Sequence, residues 1–427
     1  MKNEQLLERQ IGPLGFSAIT LNGLIGGGIF ALPAAAAAAA GAFSPWLFLI
    51  CLALFVSVIL AFARAASLTA ETGGPISYAT IAFGPFAGFQ AGWLLYLGRL
   101  ASTAANTNLL VTYAAWFLPA LDQGVVRMIA IVAVLGALTW VNMVGVRQGM
   151  VTIFALTLCK LLPLSAVALL GLGHVSAAEL LGAEIPELGS LGQTILLLIY
   201  AYIGFEGAVV PAGEGRDPQR DLPRALIFTL LGTGVFYFLI QLSSYAVHPD
   251  IAASQRPLAD VAEVLLGSIG ALLLSLGAIF SIGGNLSAMM LSVPRMTYAL
   301  ARDGSLPGWF GTVHPRWHTP ANSILFIGVL STILAVTGSF LWLAAMATLA
   351  RMLVYIVSIA AIPGLARANP ARRGFELPGG MLIPGVAILI CGWLAAQADL
   401  KGWLLAAAFF VLGSGLYLFT RRPISSV

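Results

Sequence analysis

Charge is what this sequence lacks most. Only 9% of its 427 residues are charged, against about 25% in soluble domains, too few to coat a water-soluble globule. No charged residue occurs from Ile11 to Ala63. Cysteine is scarce too. Cys51, Cys159 and Cys391 form no CxxC pair, which argues against a zinc site or a disulfide framework. His174 is isolated and His248, His314 and His318 lie in loops beside or near prolines, and no cofactor or metal is expected. No basic stripe is present of the kind that binds nucleic acid, so nucleic acid is not expected as a partner.

Hydrophobic residues make up 59% of the chain, and its mean hydropathy is +0.95. Spanning a bilayer takes about 20 apolar residues per helix. In lipid, backbone groups must be satisfied internally, leaving helical bundles or closed barrels. The apolar runs here are about 20 residues long and lack the alternation of barrel strands. An all-α membrane protein of twelve transmembrane helices is expected. The segments fall at about 13–38, 44–66, 85–118, 125–145, 150–172, 190–212, 223–247, 265–301, 320–338, 340–365, 380–397 and 402–420. The third and eighth exceed a perpendicular span and should tilt or project. The first run is too long for a cleavable signal peptide. With the N-terminus inside, fourteen of the 21 basic residues fall in inner loops and tails, and Arg127, Arg256 and Lys401 fall outside. Arg99, Lys160, Arg295 and Arg351 lie within spans. The bias places both termini in the cytoplasm.

Two spans carry helix breakers near their middles. GLIGGGIF, Gly23 to Phe30, has four glycines in six positions, each costing about 1 kcal/mol in a helix relative to alanine. Close helix packing explains a GxxxG such as Gly23–Gly27. Three consecutive glycines exceed that need, because successive residues point about 100° apart. The sixth span, TILLLIYAYIGFEGAVVPAG, has Gly204 and Gly207 flanking Glu206, with Pro211 beyond. A carboxylate at such depth needs a partner or a wet cavity. Interrupted spans at the first and sixth positions match the five-plus-five plan of secondary transporters.

These residues carry a specific resemblance. GLIGGGIFALP, YIGFEGAVVPAGEGRDPQRDLPRAL, RMTYALARDGSLP and, more loosely, GGPISYATIAFGPFAGF are similar to motifs of the amino acid–polyamine–organocation (APC) transporter superfamily. The resemblance implies a single transmembrane domain with the LeuT-type fold. One repeat would cover about 13–172 and an inverted repeat about 190–365, with two extra C-terminal helices at about 380–420. Helices 1 and 6 would be unwound at midmembrane.

An unwound helix exposes N–H groups at the start of its outer half, which suit a carboxylate, and carbonyls that suit an ammonium. An α-amino acid fits both. By the resemblance, Gly27 and Gly28 donate to the carboxylate, with Gly26 beside them. The ammonium is received by the carbonyls of Leu24, Tyr200 and Ile203. Tyr200 is the aromatic gate, or else an ordinary packed tyrosine, and Phe205 lines the same pocket. Met289 stands where arginine/agmatine antiporters of the family use a tryptophan, which points to neutral, small or medium apolar side chains.

Lys160 matches a lysine that replaces sodium in sodium-independent relatives, either coupling protons or serving an exchanger. Snorkelling or a structural pair is the plainer reading. Glu206 matches a titratable glutamate, or it caps broken backbone and pairs with a buried base. Arg99 has no fixed family role, and Arg295 and Arg351 read as structural or near the inner face. The implied function is sodium-independent amino acid transport across the cytoplasmic membrane, by proton symport or by exchange (antiport), with no enzymatic activity. A channel would show repeated polar rings, and an intramembrane enzyme clustered catalytic side chains. Neither pattern is present.

Overall fold

The computed structural model describes residues 11–69, 73–145, 150–187, 189, 191–212, 215–370, 374–377 and 379–420. Lys2, Arg9, Arg147, Arg372, Arg373, Arg421 and Arg422, which enter the orientation argument, lie outside these residues, as does the side chain of Cys159.

The described residues are almost entirely helical. The first apolar run forms two helices, α1 (Pro13–Leu24) and α2 (Gly28–Ala40), followed by α3 (Ser44–Leu68). A short helix absent from the twelve expected segments, α4 (Pro75–Phe83), precedes α5 (Pro85–Ala114). Next come α6 (Gly124–Val144), α7 (Met150–Gly171) and the short α8 (Ala177–Leu181). The second broken run gives α9 (Gly192–Ile199) and α10 (Glu206–Val209), then α11 (Pro218–Val247) and α12 (Pro257–Arg302). The chain closes with α13 (Ala321–Thr337), α14 (Phe340–Ala360), α15 (Ile362–Ala368), α16 (Leu382–Ala396) and α17 (Leu400–Thr420). Proline occupies the first turn of α1, α3, α4, α5, α11, α12 and α15, where its missing N–H costs nothing.

Six stretches among the described residues are long and apolar enough to cross a membrane. They are Gly28–Leu68, Gln219–Val247, Pro257–Arg302, Gly124–Val144, Phe340–Ala360 and Leu400–Thr420. The 30-residue α5 is not one of them, because Gln90, Arg99, Ser102, Thr103, Asn106, Thr107 and Asn108 dilute its hydropathy. Most of those polar residues are buried, so α5 is an interior helix. The eighth run begins earlier than expected, at Pro257, and bends at Gly267, where φ is 66°. Large apolar side chains such as Phe228, Leu389 and Phe419 face outward, as suits a lipid-facing surface and not a watery one.

Packing concentrates around the broken helices. α3 runs along α11, and α1 also lies on α11, while α2 meets α9 and α1 meets α10. A second group joins α5 to α12 and α14, and α13 to α6 and α5. The start of α1 is tied to the segment before α11, where the Arg216 N–H donates to the Ile11 carbonyl at 2.9 Å.

Candidate functional site

The helix α1 stops at Leu24 because Ile25 leaves helical geometry, with φ −80° and ψ 74°. The chain resumes as α2 at Gly28, and no side chain caps that N-terminus. Its first N–H groups therefore lack the usual capping oxygen. A Cβ on Gly28 would lie 3.2 Å from both the Ala201 Cα and the Tyr200 ring, and one on Gly27 would collide with Asn106 Oδ1. Gly26 has more room, its nearest such neighbour being Asn285 Nδ2 at 3.6 Å.

The second break is built similarly. α9 ends at Ile199, a 3-10 turn covers Tyr200–Tyr202, and Ile203 is extended with φ −91° and ψ 158°. Gly204 then turns with φ 116°, a conformation that side-chain-bearing residues rarely adopt. The two breaks lie against each other, with Gly23 on α1 packed directly on the Gly204 backbone.

Beside the breaks lies a chamber of about 900 Å³. Gly26, Gly27, Gly28, Tyr200, Ile203 and Met289 all line it. So do Asn106 and Asn285, which no sequence motif marks. The Asn106 amide donates to Asn285 Oδ1 at 3.0 Å, joining α5 to α12 across the chamber. The Tyr200 hydroxyl donates to Asn106 Oδ1 at 3.3 Å, and its ring meets Phe340 edge-on at 5.9 Å. The chamber extends to Ser77 on α4 and Asp303 after α12.

Two expected members of the site stand differently. Phe205 is not among the lining residues. Its ring turns into an aromatic cluster with Phe55, Phe62 and Tyr355, at centroid distances of 5.9, 5.1 and 5.3 Å. The Gly204 turn rotates the chain there, so Phe205 packs behind the wall. Leu24 lines the chamber, but its carbonyl already accepts from the Gly26 N–H at 2.9 Å and the Tyr237 hydroxyl at 2.8 Å. Both lone pairs are engaged, leaving no free acceptor for an ammonium.

Lys160 projects from α7 onto the first break. Its Nζ donates to Asn22 Oδ1 and to the Ile25 carbonyl, both at 2.7 Å, and the side chain is buried. An ammonium thus satisfies a carbonyl that the unwinding left without a helical partner.

Glu206 is fully buried and held from four directions. Oε1 accepts from Arg351 Nε at 2.9 Å and faces Arg99 Nη2 at 3.3 Å. Oε2 accepts from the Tyr355 hydroxyl and from the Gly204 N–H, each at 2.9 Å. The carboxylate caps the second break and is paired with buried bases. Arg351 is itself buried, and its Nη1 donates to the Gly98 carbonyl at 3.0 Å. Arg295 lines the chamber and donates back to the Leu291 carbonyl on its own helix.

Comparison with known proteins accords with this geometry. The family model described as "Amino acid permease" matches residues 11–417. An uncharacterized transporter of Mycobacterium tuberculosis is 32% identical, over 98% of this chain and 92% of its own length. A serine/threonine exchanger of Bacillus subtilis is 28% identical over 96% and 92%, respectively. A branched-chain amino acid permease of the same organism is 24% identical over 99% and 95%. The chain belongs to the amino acid permease family and is a multi-pass membrane transporter, not an enzyme.

Proposed function

We propose that this protein is a secondary active carrier that moves an α-amino acid across the cytoplasmic membrane by alternating access, independently of sodium. The observation that carries the reading is the pair of facing breaks beside a chamber, with uncapped N–H groups at Gly27 and Gly28. A substrate carboxylate rests on those groups, favoured by the positive end of α2. The ammonium lies towards the carbonyls of Tyr200 and Ile203, and Tyr200 gates the chamber from outside. The positive charges of Arg99 and Arg351 in the wall disfavour a cationic side chain, in keeping with the non-cationic substrate drawn from Met289.

The packing of α1, α2, α3, α9, α10 and α11 as one group, and of α5, α6, α12 and α13 as another, supports twelve spans in the LeuT-type arrangement. In that arrangement the two repeats run over about 13–172 and 190–365. With both termini cytoplasmic, the end near Ser77 and Asp303 faces inward and this is the inward-facing state.

Lys160, when protonated, supplies a cation at the first break, where a sodium ion would otherwise neutralise the exposed carbonyls. Proton coupling is assigned to Lys160. Glu206, already saturated by four donors, is assigned a structural role. Exchange is the second reading, since one relative is named an exchanger. Uptake of an amino acid panel into proteoliposomes tests the whole. Accumulation driven by a pH gradient supports symport, and uptake that requires internal amino acid supports exchange. Accumulation driven by sodium alone overturns the assignment of Lys160.

A further inference from the structure

Arg99 is not needed to neutralise Glu206. Arg351 holds Oε1 at 2.9 Å through Nε, while Tyr355 and the Gly204 N–H hold Oε2. Arg99 adds one longer approach, 3.3 Å, to the oxygen that Arg351 already occupies. Two guanidinium groups thus face one carboxylate. Among the described residues no second carboxylate is within ion-pair distance of either arginine. One positive charge is left over, and it is placed where a ligand can meet it. Arg99 lines the chamber and its side chain is 17% exposed, whereas Glu206 is sealed behind it. A guanidinium carries five N–H donors in a planar fork matched to a carboxylate. One approach to Glu206 leaves most of that fork for the chamber.

The position on α5 sets what can reach it. Asn106 touches Gly27, the seat assigned above to the α-carboxylate. Arg99 is seven residues before Asn106 on the same helix, which is two turns, on the same face and about 10 Å away along the axis. The two carboxylates of an acidic amino acid are about 5 Å apart by bond lengths. Hydrogen bonds at the two ends supply about 3 Å each. An acidic side chain extends from the Gly27 seat along that face towards Arg99, whereas a methyl-tipped one carries no group to accept from its donors.

We propose that Arg99 is a substrate-recognition residue that hydrogen-bonds the far end of the transported side chain, and that the carrier prefers α-amino acids whose side chain ends in a carboxylate. The inference rests on the α-amino acid reading above and replaces the apolar side-chain preference drawn from Met289.

Uptake of radiolabelled glutamate and of radiolabelled alanine into proteoliposomes tests it, in the wild type, Arg99→Met and Arg99→Lys. The wild type is expected to favour glutamate. The glutamate-to-alanine uptake ratio should fall about tenfold or more in Arg99→Met, the range of a lost charge-assisted hydrogen bond. Arg99→Lys should retain part of the ratio. A structural role for Arg99 lowers both uptakes together and leaves the ratio unchanged, which overturns the proposal. Alanine uptake without glutamate uptake in the wild type also overturns it, and needs no variant to fold. If none of the standard amino acids is taken up, the α-amino acid reading itself fails, and the role of Arg99 falls with it.

Discussion

Gly23 and Gly204 meet backbone to backbone, and a Cβ on either would run into the carbonyl of the other. This contact joins the two helix breaks into one unit. It requires glycine twice over at Gly204, where φ is also 116°.

Gly204→Ala is therefore expected to lower thermal stability in detergent by about 3 kcal/mol, combining overpacking with left-handed strain. Gly207→Ala is the control, because nothing crowds its Cβ position. Equal melting temperatures for the two variants would show that the glycine contact is not close.

Lys160→Met removes the donor to Asn22 and to the Ile25 carbonyl. Leaving a buried carbonyl without a partner costs about 1–3 kcal/mol, and the first break should lose its shape. Gradient-driven uptake is expected to fall at least about tenfold, the equivalent of 1.4 kcal/mol, and replacing external sodium with choline should leave wild-type uptake unchanged. Full uptake by the variant would remove the lysine from the coupling mechanism.

Glu206→Gln leaves Arg99 and Arg351 facing each other without a counter-ion. Breaking a buried pair in this way costs about 3–5 kcal/mol, so the variant should express poorly or melt early by size-exclusion chromatography after heating. A stable variant that transports normally but no longer responds to pH would instead make Glu206 the proton site.

Tyr237→Phe deletes the hydroxyl that donates to carbonyls at both breaks, Leu24 at 2.8 Å and Ala201 at 3.3 Å. A loss of about 1 kcal/mol of stability is expected. The freed Leu24 carbonyl would then be available to a substrate ammonium, and uptake kinetics would report it as a lower KM.

Glycine made the breaks legible in the sequence. A run such as GLIGGGIF interrupts a helix whatever surrounds it, and the observed gap between α1 and α2 falls within that run. Lys160 was legible as a charge within a span, whereas its place beside the first break came from the family resemblance and not from its position in the span. The chamber wall was harder to read. Asn106 and Asn285 sit among small residues with no local signal that they would bond across 179 positions. The direction of Phe205 depends on the Gly204 turn, and the occupied Leu24 carbonyl depends on a tyrosine 213 residues away. Such facts arise from tertiary packing, which apolar periodicity does not encode. α4 gives no span signal, because its nine residues are too few to cross a bilayer.

The most direct measurement concerns the ligand's two charged ends. Competition against tracer uptake should be measured with an amino acid that the carrier takes up, with its decarboxylated amine and with its N-acetyl derivative. If bare peptide groups grip both ends, only the zwitterion competes, and each derivative is weaker by about 100-fold, the equivalent of 2.8 kcal/mol. Equal competition by the amine would contradict the seat at Gly27 and Gly28, and with it the gripping of a zwitterion by the two helix breaks.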